Sequence, residues 1–155
     1  FMQTIGIGTF MTGGLSDFTI PKVALFGDAD IDVEHQYLVD KVLHLRKFVD
    51  VEYGGELREH CADLRRELLS HFHNEIRYMK DVSYPAATEH MLHHSEVLEG
   101  FDQLMDNISK RGYLLVEDVN NLVSNVVRHM LMEDIAFKTY LIKTGVLKEE
   151  VIRMV

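Results

Sequence analysis

Along four stretches of this chain, apolar residues return at alternating steps of three and four, and histidines and carboxylates occupy the same stripes. That spacing holds side chains on one face of an α-helix. The first stripe, within roughly residues 31–50, runs His35, Leu38, Val42, Leu45, Val49. The second runs Leu57, Cys61, Leu64, Leu68, His71, Glu75, Tyr78, and the third Ala87, His90, His94, Val97, Phe101, Leu104, Ile108. The fourth begins Val119, Leu122, Val126, His129. Helices of this kind bury their stripes by packing together, so the expected fold is all-α, an antiparallel up-down four-helix bundle. Glycine and proline punctuation agrees. Gly54-Gly55 separates the first two helices, Ser83-Tyr84-Pro85 opens the third, and Gly112 and Gly145 close the third and fourth. The bundle is expected over residues 31–145, with helices of roughly 20–28 residues. Residues 1–30 read as an N-terminal arm, uncharged through position 16, and 146–155 as a short C-terminal helix.

The polar members of the stripes constrain function. An imidazole or carboxylate in a buried seam is costly without a partner. His71/Glu75 and His90/His94 are each four apart, so each pair converges on one point. One buried histidine is ordinarily a hydrogen-bonded core residue. An ordered set of His35, His71, Glu75, His90, His94, His129 and a fourth-helix carboxylate calls for a common cause, and a shared metal site supplies one. On the fourth helix a four-residue step from His129 leads to Glu133, Ala136, Tyr140 and Lys143, a poor core face. A five-residue step leads to Asp134, Phe137 and Leu141, a better one. One inserted residue is the mark of a π-bulge, so Asp134 is expected to point inward and Glu133 away. His44, His60, His73 and His93 fall off the stripes and are assigned to solvated faces.

Composition removes other classes. A chain of 155 residues forms one domain with a sizeable core. Its net charge of −9 argues against nucleic acid or an anionic membrane as partner. No apolar run approaches the ~20 residues needed to span a bilayer. The single cysteine, Cys61, excludes an internal disulfide and suits a reducing compartment, so a cytoplasmic location is expected. Its place on an apolar stripe suggests inert packing. Imidazole-rich ligation favours iron over calcium or magnesium, which take oxygen shells. Zinc stays chemically open, although a four-coordinate structural zinc would leave several donors unused. There is no His-Glu-x-x-His, no Cys-x-x-Cys-His, and no pair of Glu-x-x-His motifs of the ferritin-like kind.

The runs IDVEHQYL (31–38), SHFHNEIRYM (70–79), YPAATEHMLHH (84–94) and HMLMED (129–134) resemble those of bacterial hemerythrin domains. The shared pattern is a lone His, then His-x3-Glu, His-x3-His and His-x4-Asp, in order, over roughly residues 30–145. The resemblance implies two iron ions joined by an oxo or hydroxo bridge. His90, His94 and His129 would hold one iron and His35 and His71 the other, with Glu75 and Asp134 bridging. It further implies that dioxygen binds reversibly at an open position on the second iron, for storage, delivery or sensing, without enzymatic turnover. Two alternatives share this ligand set. One is an oxygen or redox sensor regulating a fused or partner signalling domain; the other is a di-iron oxidase or peroxidase. Leu38, Phe72, Asn125, Val126 and Met130 are the expected lining of the oxygen pocket. Met130 stands where the family commonly has isoleucine, Asn125 where it often has tryptophan, and Ile76 where a second glutamate is common. A polar Asn125 beside the open iron is expected to admit water and hasten oxidation.

Overall fold

The computed structural model describes Ile20 and residues 25–148, and its regular structure is helical. Helix α1 spans Ala29–His44 and continues as a 3-10 turn over Leu45–Phe48. Helix α2 spans Gly55–Asp81, α3 Ala87–Arg111, and α4 Val116–His129. A π turn over Met130–Asp134 leads without a break into α5, Ile135–Lys143, so α4, the π turn and α5 form one rod. The described residues thus contain four rods and no strand, only the isolated bridges Val49–Leu114 and Glu52–Tyr113. None of these helices is long and apolar enough to cross a membrane. Most of the expected N-terminal arm and residues 149–155 of the expected terminal helix lie outside the described residues. Residues 146–148 are described and are not helical.

The first rod is shorter than its apolar stripe suggested. Its α-helix ends at His44, and the stripe residue Leu45 stays buried on the 3-10 turn. Val49 is already extended and Asp50 takes a positive φ of 61°, which turns the chain toward α2. The opposite end of α1 is capped: Asp28 accepts from the backbone N–H groups of Asp30 and Ile31. Asp32 reaches back to accept from the N–H groups of Phe26 and Gly27, at 2.6 and 3.0 Å. This fold-back seats Phe26, which is fully buried. At α4, the Asp118 carboxylate accepts from the Leu115 N–H at 2.8 Å.

Each rod packs chiefly on two others: α1 on α2 and α4, and α3 on α2 and α4. The α1–α2 and α3–α4 connections meet, with the Asp50 N–H donating to the Leu114 carbonyl and the Tyr53 N–H to the Gly112 carbonyl. Elsewhere Tyr84 of the α2–α3 turn packs against Phe137 and Tyr140, and Tyr140 Oη donates to the Val82 carbonyl. The core falls into two apolar clusters. The larger includes Leu38, Val42, Leu64, Leu68, Phe72, Val97, Phe101, Leu122, Val126 and Met130. The smaller consists of Phe26, Met79, Phe137 and Leu141, with Ile31, Tyr78 and Tyr84 packed on it. Following any rod from one cluster to the other crosses a short polar interval: His35, His71 to Glu75, His90 to His94, or His129 to Asp134.

Gly112 ends α3 with a φ of +90°, a left-handed conformation that a side chain disfavours. Gly55 opens α2 with ordinary dihedrals and open space where a Cβ would sit. Gly112→Ala is therefore expected to lower stability by about 1 kcal/mol, whereas Gly55→Ala is expected to be neutral or stabilising by about 0.5 kcal/mol. Chemical denaturation of the two variants beside the parent measures the difference.

Candidate metal centre

Between the two apolar clusters, the four rods deliver seven polar side chains to one buried layer. His35, His71, Glu75, His90, His94, His129 and Asp134 are each no more than 6% exposed. Helical spacing explains the convergence within rods, since His71 and Glu75, like His90 and His94, lie one turn apart. Their donor atoms form two overlapping groups. Glu75, His90, His94, His129 and Asp134 make one; His35, His71, Glu75 and Asp134 make the other, and within each the atoms lie within 4.8 Å of one another. Glu75 and Asp134 belong to both. His94 Nε2 lies 2.9 Å and His90 Nε2 3.3 Å from Glu75 Oε2. His129 Nε2 and His90 Nε2 stand 3.0 and 3.2 Å from Asp134 Oδ1, and His35 Nε2 stands 3.2 Å from Oδ2. The Nε2 atoms of His35 and His71 are 3.2 Å apart.

The fourth rod needs its π turn to take part. In regular α-geometry the residue one turn after His129 would be Glu133; the wider turn over Met130–Asp134 brings Asp134 inward instead. Asp134 is 1% exposed, while the Glu133 side chain is 30% exposed and faces His93 Nε2 at 3.5 Å. The five-residue step in the apolar pattern thus corresponds to a real distortion of the helix.

Several of the buried polar atoms lack hydrogen-bond partners. Glu75 Oε1, both Asp134 oxygens, His129 Nε2, and Nδ1 of His94 and His129 are among them. The short Asp134–imidazole distances therefore provide charge attraction without hydrogen-bond alignment. Leaving such atoms unmatched in a dry interior costs about 1–3 kcal/mol each, and a shared cation would satisfy the inward-facing ones together. Burial and the neighbouring Asp134 charge push the Glu75 carboxyl up, but contacts with His90, His94 and His71 outweigh them and hold it at about 2. Asp134 is likewise driven up by burial and brought well below the usual range by His129, His35 and His90. Burial lowers His90, yet Asp134 and Glu75 raise it overall to about 9, while for His94 burial wins and lowers it to about 4. His71 is raised despite burial, chiefly by its contact with Glu34.

Glu34 was not evident from the stripes. Its Oε2 accepts from His71 Nδ1 at 2.8 Å, which turns His71 Nε2 toward the centre. The available signal was its position next to His35, on the flank of α1 that faces α2. Phe72 stacks on the His94 ring at 3.9 Å between centroids and 11° between planes, and meets His129 edge-on at 5.5 Å. Leu38, Val126 and Met130 are buried in the same cluster as Phe72.

Asn125 corrects the expected oxygen-pocket lining. It is exposed, with its amide against Gly100 of α3 in the groove between α3 and α4. One residue before the inward-facing Val126, it is turned about 100° round the helix, away from the centre. Of the off-stripe histidines, His44 and His73 are exposed. His60 and His93 are half-buried instead, with His60 Nε2 at 3.0 Å from the Lys41 carbonyl and His93 held by Glu96 and Glu133. Cys61 is buried, and burial pushes its thiol up to about 11, so it packs as an inert group.

Such a layer, histidine-rich and with two carboxylates common to both donor groups, defines a cation-binding helical bundle. The family model for the hemerythrin HHE cation-binding domain matches residues 27–141, and the chain belongs to that family. Comparison with curated proteins and with solved structures gave no match.

Metal ligation needs neutral imidazole, whereas the facing carboxylates raise His90 to about 9 and His71 is shifted the same way. Loading with a divalent metal at pH 7 is therefore expected to release protons, chiefly from His90. Apparent affinity should rise with pH and level off above about 9, once His90 has lost its proton. Calorimetry in buffers of different ionisation enthalpy reads the proton count. Loading without proton release would contradict this protonation pattern.

Proposed function

We propose that this chain binds dioxygen reversibly at a non-haem di-iron centre. The supporting observation is the pair of overlapping donor groups that share Glu75 and Asp134 but differ in their imidazoles. Three histidines, His90, His94 and His129, serve one position; two, His35 and His71, serve the other. Carboxylates join two cations readily because each has two oxygens, whereas a neutral imidazole gives one nitrogen to one metal. The two negative charges offset half of the charge of two ferrous ions, which favours their retention in a dry layer. When bound, the iron pair supplies the electrons for reversible oxygen capture, at the position with fewer histidines.

The chain's own residues set the conditions for that chemistry. Glu34 orients the His71 ring, and the stacked Phe72 fixes His94. Leu38, Phe72, Val126 and Met130 form an apolar wall that suits a small neutral gas and disfavours water and ions. The reading is of a carrier without turnover. We read the rods as an antiparallel up-down bundle forming one domain over residues 31–145. The meeting of the 49–53 and 112–114 connections, away from the Tyr84–Tyr140 contact, supports that order.

The purified chain is expected to hold two irons, and Glu75→Ala or Asp134→Ala to lose at least one, by metal analysis. Two irons retained in either variant would remove the bridging assignment. In the ferrous protein, oxygen should generate an absorption band that disappears when oxygen is withdrawn and returns on readmission, at one oxygen per iron pair. Sustained consumption of hydrogen peroxide with a reductant, and no reversible band, would replace the carrier by a peroxidase.

A further inference from the structure

We infer that the cleft between α1 and α2 is the passage by which divalent metal enters and leaves the centre, with Asp30 and Glu34 attracting the cation and His71 and Glu75 receiving it. This rests on the di-iron reading and adds a route to it. The cleft has a volume of about 220 Å³ and runs from Asp28, Asp30 and Glu34 to the buried ligands His71 and Glu75. Four carboxylates line it against one cation, Arg77. Asp28 is engaged as the cap of α1 and contributes only charge. Glu34 connects the two ends: its side chain is 43% exposed, yet its Oε2 is 2.8 Å from His71 Nδ1. At the inner end Glu75, 3% exposed, has an Oε1 without a hydrogen-bond partner.

The approaches along the rods suit a hydrated cation badly. Along the rods the centre is flanked on one side by Phe72, Val97, Val126 and Met130, and on the other by Phe26, Met79 and Phe137. Stripping water from a divalent ion to cross either cluster carries a large desolvation penalty. An acidic cleft instead concentrates cations at its mouth and exchanges water for carboxylate oxygen in steps. It opens on the group with fewer imidazoles, so metal bound for the three-histidine position passes by the shared carboxylates.

Asn74 also lines the cleft but belongs to neither donor group. Asn74→Arg adds bulk and positive charge to the passage. The loaded ferrous chain, kept anaerobic, is mixed with excess iron chelator, and the rate of iron loss is followed by the colour of the complex. Asn74→Arg is expected to slow the loss roughly tenfold, with starting iron content unchanged. Asn121→Arg, the same charge change at an exposed site on α4, should lose iron at the parent rate. A second measurement uses Asp30→Asn, at an exposed position, and follows Co2+ uptake by the stripped full chain through its visible absorption. Uptake should slow roughly threefold at low salt, with the gap closing at high salt. Should Asn74→Arg fail to fold, Asp30→Asn decides the question. Parent-like rates in the folded variants, at two metals per chain, would overturn the passage. A parent chain holding fewer than two irons would overturn the di-iron reading itself, before any rate is measured.

Discussion

Burial of two carboxylates and five imidazoles in one layer of an apolar bundle is the constraint on which the rest of this structure depends. None of the seven is tolerable there alone, because an unmatched polar atom in the interior costs more than a typical hydrogen bond contributes. Each rod must therefore present its donors at the same height, and the two apolar clusters clamp the layer from either side. The clusters can do so because Leu and Phe side chains each contribute about 1.5–3 kcal/mol when fully buried. The facing carboxylates raise His90 to about 9, while His94, with less compensation for its burial, is lowered to about 4.

The π turn is the local cost of this arrangement. Regular α-geometry would leave the fourth rod with Glu133 next in line after His129 on the inward face, and Asp134 rotated away. Widening one turn reverses the two, and it also returns Phe137 and Leu141 to the core beyond. A change of one residue in helical phase thus serves both the centre and the packing, which is why the distortion falls between His129 and Asp134.

The centre is also asymmetric in its surroundings. One flank is an apolar wall around Phe72; another is an acidic cleft that reaches His71 and Glu75. The first environment disfavours charged and hydrated species, and the second favours cations. Asn125 belongs to neither environment, since its side chain lies in the groove between α3 and α4.

The sequence by itself determined the helices and the membership of the buried layer. Periodicity is a local property: steps of three and four mark a face, and a polar residue on an apolar face marks an inward donor. Even the π turn was legible, because the apolar pattern changes phase after His129 and resumes at Phe137. Tertiary structure alone decided the rest. That α1 stops at His44 depends on the meeting of two connections, which no local stripe encodes. The contact from Glu34 to His71 joins different helices, and the cleft takes its lining from both α1 and α2. Asn125 was misplaced because a position four residues before a ligand lies near its face, while the neighbouring helix decides whether that flank is covered. Here the small Gly100 of α3 leaves a groove beside it, and the amide lies in that groove, exposed to solvent.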